Sequence, residues 1–331
     1  MLFLRSFCKL TSKISIMARL FALLCLILIF QGPLISQGLI FDYDSYENRE
    51  TIPKTRADII PYKFSLEKYT PYVLQQRGGT CVANSLAVVR TMIFAKNNRI
   101  ESKKEISLNL FSPHWVYYRN RLSNDYFCEK GLNIEKAITD ILNNGIPKAL
   151  NVEYPDYYPF TKQPLCNFYP PSYEENVLAA SLYKIDNAYK LDDLESIKLS
   201  ISNGMPVIIG MLVPKSFTEL VDSNLWRSKD SDSLEDSYAH AMVIVAYNDL
   251  KAGGAVKVMN SWGTGWGENG FAWITYKDLL KYTMGAYGFS SSQDFFGAST
   301  SIDTSELNAD RKLEPINLEK NDQYKNLFSD N

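Results

Sequence analysis

Two adjacent glycines, Gly78 and Gly79, stand directly before Thr80-Cys81. Behind them runs a stretch with neither Gly nor Pro: Val82-Ala83-Asn84-Ser85-Leu86-Ala87-Val88-Val89-Arg90-Thr91-Met92-Ile93. Glycine admits the positive φ angles of a tight loop. The following stretch, rich in Ala, Leu, Val and Met, predicts a helix with Leu86, Val89 and Ile93 as its buried stripe. Cys81 therefore lies in a helix's first turn, where unpaired N–H groups and the dipole favour negative charge. Given a cationic neighbour, a thiol there has its pKa lowered from about 8.5 into the reactive range. Taken alone, a cysteine on an apolar helix is more often packing than chemistry.

Two later stretches change that balance. One is Tyr238-Ala239-His240-Ala241-Met242-Val243-Ile244-Val245-Ala246-Tyr247. The other is Asn260-Ser261-Trp262-Gly263-Thr264-Gly265-Trp266-Gly267-Glu268-Asn269-Gly270. In order and local sequence, these pieces and the cysteine loop resemble the papain-like cysteine peptidases. The shared pattern is a Gln, a Gly-Thr-Cys helix start, a His opening a strand, and Asn-Ser-Trp-Gly. It covers residues 66–290. The resemblance implies an α+β, papain-like two-lobed fold. A helical lobe (66–180) would carry the nucleophile cysteine, and an antiparallel β-barrel-like lobe (181–290) would carry the His and Asn.

Peptide cleavage by a thiol needs a thiolate, a proton carrier and donors for the developing oxyanion. The resemblance assigns the nucleophile to Cys81, general acid/base work to His240 as its imidazolium partner, and orientation of that ring to Asn260. Trp262 would cover the His–Asn hydrogen bond. Gln75, six residues before Cys81, takes the family's oxyanion position, with Gln76 as its competitor. Gly131 resembles the cleft glycine whose backbone pairs with an extended substrate, though an ordinary turn would equally use it. His114, beside Trp115, reads as structural. The chain departs from the family at Val82, Asn84, Ala239 and Gly78, where members commonly carry Trp, a large residue, a polar residue and a disulfide cysteine. These changes bear on subsite shape and pH profile more than on the chemistry.

The expectation is a secreted cysteine endopeptidase acting on peptide or protein substrates, with no cofactor and no metal. An acyltransferase or amidase of restricted substrate, using the same residues, is the second reading. A catalytically silent peptide-binding module is the third. A net charge of −2 over 331 residues offers no basic surplus for nucleic acid, and 13% aromatic residues argue against general disorder.

The ends read differently from the middle. Arg19 precedes the apolar run from Leu20 to Phe30, then Gln31-Gly32-Pro33. The run is short for a membrane span and has the layout of a signal peptide over residues 1–37, leaving no stable membrane insertion after cleavage. Cys81, Cys128 and Cys166 would remain. An oxidising compartment favours pairing Cys128 with Cys166 and leaving Cys81 free. Residues 38–65 read as a loose lead-in. Papain-like enzymes usually have a longer inhibitory propeptide running through the cleft, so a full one is not expected here. Residues 291–331 read as a polar, solvated tail.

Overall fold

The computed structural model describes residues 38–54, 59–125, 127–152, 170 and 172–292. Its first elements depart from the sequence reading. Residues 38–65 hold strand β1 (Leu39–Ile40), helix α1 (Tyr43–Glu47) and strand β2 (Lys63–Ser65). Asp42 starts α1 by accepting from the Ser45 N–H at 3.1 Å, and Leu39 and Tyr46 are buried. Elements of two to five residues are too short to show a hydrophobic period, which is why the sequence hides them.

The glycine loop does lead into a helix, α2 (Cys81–Asn97). Every residue from Cys81 to Ala95 is buried, so the helix is enclosed on all sides where a single stripe was expected. After α3 (Lys103–Leu108) comes helix α4 (Pro113–Asn120). The Ser112 hydroxyl accepts from Trp115 N at 3.1 Å and Pro113 occupies the first turn. His114 is buried, its ring 6.3 Å from that of Tyr118. Strand β3 (Leu132–Asn133) runs into α5 (Ile134–Asn144), capped by Asn133 and ended by Gly145. Ile134, Ile138 and Ile141 bury its inner face, while Leu142 is only partly covered. Helix α6 (Tyr173–Ser181) was not anticipated.

The rest of the described chain is organised around a sheet. In chain order it comprises β4 (Asn187–Lys190), α7 (Leu194–Ser202), β5 (Val207–Val213), α8 (Lys215–Thr218), β6 (Leu225–Trp226) and β7 (Tyr238–Asn248). Then come β8 (Ala255–Met259), β9 (Phe271–Thr275), α9 (Tyr276–Tyr282) and β10 (Thr283–Ser290). The sheet order is β4-β10-β5-β7-β8-β9-β6, with β2 also on β7. All pairings are antiparallel except β6 on β9. Residues 220–235 contribute β6 and bury Trp226. Two glycines in Thr283-Met284-Gly285-Ala286-Tyr287-Gly288 mask β10, although it lies inside the sheet. Helix α2 packs against β7 and α4 together, which explains its complete burial.

Among the described residues, no helix is long and apolar enough to cross a membrane, and no His/Cys/Asp/Glu group could hold a metal ion. The expected signal peptide and the tail beyond Ser292 lie outside the described residues. Cys128 is disulfide-bonded, and its expected partner Cys166 also lies outside them.

Candidate active site

The geometry of the site follows from where α2 meets the first residues of β7. Gly78 has φ +57°, and a Cβ there would lie 2.4 Å from Cys128 O. The next residue, Gly79, donates its N–H to the same carbonyl at 2.6 Å. The loop before α2 is therefore clamped against the backbone of a disulfide cysteine, and only glycine allows the approach. That clamp sets Cys81 at the helix start, where the backbone N–H groups of Ala241, Val82 and Cys81 itself point at the thiol. Ala241 is the residue after His240, so the β7 backbone delivers the imidazole to the thiol's side.

His240 Nε2 lies 2.8 Å from Asn260 Oδ1, which also accepts from Ser261 N at 2.7 Å. Asn260 is itself held by donating its backbone N–H to Gly270 O at 3.0 Å. Its buried Nδ2 has no partner among the described residues. The Trp262 ring lies 4.4 Å from the His240 ring at 31° and caps the hydrogen-bonded pair. Trp262 in turn meets Trp266 and Phe217 edge-on. Trp266 is a core residue, its indole N–H donating to Phe217 O at 2.8 Å.

Gln75 and Gln76 have different surroundings. Gln76 is committed at both ends of its amide: Nε2 donates to Gly78 O at 2.8 Å and Oε1 accepts from Ser261 Oγ at 2.6 Å. Gln75 is exposed, pairs as a β-bridge with Trp262, and lays its carboxamide against Gly263. Gly131, in contrast, donates its N–H to Tyr117 Oη at 3.2 Å. The neighbouring Leu132 offers its N–H along the cleft, where it donates to Gly38 O at 3.0 Å. Tyr117 and Asp125 hold this wall. The Tyr117 hydroxyl donates to Asp125 Oδ2 at 2.6 Å, and that carboxylate accepts from Glu129 N and Lys130 N. Sequence reasoning missed Tyr117, Asp125 and Leu132; an isolated Tyr and Asp eight residues apart carry no motif.

The cleft is closed. Gly38 sits on Cys81, since a Cβ there would lie 2.6 Å from Sγ and 2.8 Å from Gly79 O. Strand β1 lies parallel to β3, Leu39 opposite Leu132 and Ile40 opposite Asn133. Cys81 is 0% and His240 2% exposed. Burial pushes the thiol up to about 12, against the pull of its three backbone N–H groups. Burial likewise pushes His240 down to about 4, although its bond to Asn260 opposes this. In this closed form the burial of both groups favours the neutral thiol and imidazole over the expected thiolate–imidazolium pair.

Both shifts have consequences for stability. Unfolding lets His240 take a proton that the fold refuses, so stability is lost as pH falls below the ordinary 6.5 towards 4. Unfolding also frees a thiol that ionises near 9 where the fold holds it protonated, so stability is lost as pH rises above 9. Thermal unfolding of the closed chain is expected to show a Tm plateau between these limits and a fall on both sides. In Cys81→Ala the alkaline fall should shrink while the acid one stays. An alkaline limb of undiminished size in that variant would contradict the assignment.

A protein-family model described as papain family cysteine protease matches residues 63–288. An uncharacterised peptidase C1-like protein of Acanthamoeba polyphaga mimivirus is 28% identical over 212 residues, 60% of this chain. The matched part spans 62% of that relative's own length. Among solved structures, the cysteine protease xylellain of Xylella fastidiosa aligns with TM-score 0.64 at 20% identity. The alignment covers 78% of this chain and 97% of xylellain. A procathepsin B of Trypanosoma congolense aligns with TM-score 0.60 at 18% identity, over 78% and 87% of the two chains.

Proposed function

Because the chain belongs to the papain family of cysteine proteases, we propose that it is a secreted endopeptidase in which Cys81, His240, Asn260 and Gln75 carry the reaction. One observation supports this above the rest. The 2.8 Å His240–Asn260 bond sits under Trp262, and the residue after His240 turns its N–H on the Cys81 thiol. In an open, hydrated cleft, the proton moves from Sγ to the ring nitrogen not bound to Asn260, giving thiolate and imidazolium. Sulfur attacks the scissile carbonyl carbon, and the π electrons move onto oxygen. The Gln75 amide and the Cys81 backbone N–H receive that oxyanion. On collapse the C–N bond breaks and His240 gives its proton to the leaving amine. His240 then takes a proton from water, which attacks the thioester and releases the acid and the thiol. Asn260 keeps the ring in register throughout, the Asn form of the triad.

Secretion is supported by the basic-then-apolar leader and by the disulfide at Cys128. The substrate class follows from the family, and Leu132's N–H is the cleft donor placed to pair with a peptide backbone. The test is turnover of internally quenched peptides blocked at both ends. It is run on the full chain and on Leu39→Asp, which unseats the buried side chain packed against Gly210 next to Gly38. Turnover that disappears on alkylation of Cys81 is the expected result. No cleavage of any library member by a chain whose Cys81 alkylates readily would reject the peptidase reading.

A further inference from the structure

The turn from Cys128 to Leu132 is folded around a side chain that enters it from outside. Cys128 starts the turn with φ +57°, a left-handed conformation rare for a residue with a side chain, and Gly131 ends it at +73°. Between them the N–H groups of Glu129 and Lys130 converge on the Asp125 carboxylate, at 3.1 Å from Oδ1 and 3.3 Å from Oδ2. The next N–H, that of Gly131, reaches the same carboxylate by relay. It donates to Tyr117 Oη at 3.2 Å, and that hydroxyl donates to Asp125 Oδ2 at 2.6 Å. Successive backbone N–H groups turned to one side form a concavity suited to an anion, and here the chain supplies the anion itself. Tyr117 is 2% and Asp125 1% exposed, so water does not stand in for a lost partner. Burial, and after it the bond to Asp125, push the Tyr117 phenol far above its ordinary value. Its hydroxyl therefore stays a donor at every pH where the protein is folded.

The two ends of this turn reach different parts of the site. At its start, the Cys128 carbonyl accepts from Gly79 N at 2.6 Å and leaves no room for a Cβ at Gly78. A trans peptide unit holds its N–H and C=O antiparallel. Aiming the Glu129 N–H at Asp125 therefore aims the Cys128 C=O the other way, onto the loop that carries Cys81. At the other end, the Leu132 N–H faces the cleft, where Gly38 O accepts it at 3.0 Å. Only the φ and ψ of Gly131 separate that N–H from the one fixed by Tyr117. The Cys81 thiol is itself near enough to Tyr117 to add to the shift of the phenol.

We propose that Asp125 and Tyr117 are positioning residues which, through this one turn, set both the Cys81 nucleophile and the N–H that receives the substrate backbone. Neither touches the reacting atoms. Without the carboxylate or the hydroxyl, an inward N–H is left unpaired and its peptide plane is free to rotate. The Cys128 carbonyl then swings off Gly79, and the first turn of α2 loosens. Cys81 drifts from the N–H groups of Ala241 and Val82 that point at its sulfur. The Leu132 N–H moves with the other end of the turn, so nucleophile and substrate are misplaced together. A displacement of about 1 Å is enough to cost ~100-fold in rate. The substrate half of the proposal rests on the peptidase reading; the Cys81 half does not.

The experiment places Tyr117→Phe and Asp125→Asn, each close in shape to the residue it replaces, in the Leu39→Asp background. Val256→Ala, in the core of the sheet opposite Tyr247, is the control for lost stability. Three quantities are read: exchange of the Gly79 amide, acylation of Cys81 by p-nitrophenyl acetate, and kcat and KM on the quenched peptides. In the acylation, sulfur bonds to the acetyl carbon and p-nitrophenolate leaves with the electrons of the broken C–O bond. The acetyl group has no backbone to offer Leu132, so this step reads the placement of Cys81 alone. Both variants are expected to exchange the Gly79 amide at least ~10-fold faster and to acylate ~10-fold more slowly. On peptides kcat/KM should fall ~100-fold, shared between a lower kcat and a higher KM. Val256→Ala should lower Tm and leave all three readings at the parent values. Unchanged Gly79 exchange and acylation in both variants would overturn the proposal. So would a peptide loss carried by kcat alone, since the cleft donor would then be set by something else. The expected exchange and acylation losses, with no peptide cleaved by parent or variant, would uphold the positioning of Cys81 and reject the peptidase reading.

Discussion

Gln75→Ala is expected to lower kcat by about 10²–10³-fold with little change in KM. The carboxamide is proposed to act on a charge that exists only after sulfur has attacked, so removing it weakens the transition state and not the bound peptide. The alkylation rate of Cys81 should stay nearly constant, because displacement of iodide generates no oxyanion. Gln76→Ala makes the contrast. Its amide ties Ser261 Oγ to Gly78 O, joining the Asn260 turn to the cysteine loop. Its loss should therefore disturb turnover, alkylation and Tm together. Steady-state kinetics and alkylation, both in the Leu39→Asp background, separate the two. Full kcat in Gln75→Ala would move the oxyanion role to the backbone or to Gln76.

The contrast also shows what could be read before the structure. Glycine before cysteine, His at a strand start and Asn-Ser-Trp-Gly each state a local backbone requirement, so those positions were legible. Caps such as Ser112 and Asn133 carry the same kind of local signal, since side-chain chemistry marks the helix start. The segment over the cleft was not legible, because β1 and α1 depend on contacts with residues far along the chain: Leu132, Gly210 and Gly285. The same holds for β10, whose glycines make room for Phe41 and Ser200 and thereby erase its pattern. The full burial of α2 followed from what packs on its outer face, which periodicity does not report. Gly131 was expected to pair with substrate because a glycine invites a backbone role. Here Tyr117 takes the glycine's N–H, and the next residue faces the cleft.

Arg49→Ala is expected to destabilise the folded chain by about 3–5 kcal/mol near neutral pH. Glu135 is 5% exposed in the first turn of α5, and the Arg49 guanidinium forks onto its carboxylate. Arg49 is only a little more accessible, and it also donates to Ala188 O at 3.2 Å. Truncating the arginine leaves a negative charge in the core with its principal cation gone, and that desolvation cost is much larger than the value of an exposed pair. The loss would be a large share of a stability of about 5–15 kcal/mol, so it should show plainly in the urea midpoint. Replacing both partners with apolar residues of similar volume, Arg49→Met with Glu135→Leu, should recover most of it, because no charge is then stranded. The exposed pair Lys54–Asp193 supplies the internal scale: Lys54→Ala should cost about 0–1 kcal/mol. If Arg49→Ala behaved like Lys54→Ala, residues 41–49 would be resting on the domain instead of being built into it.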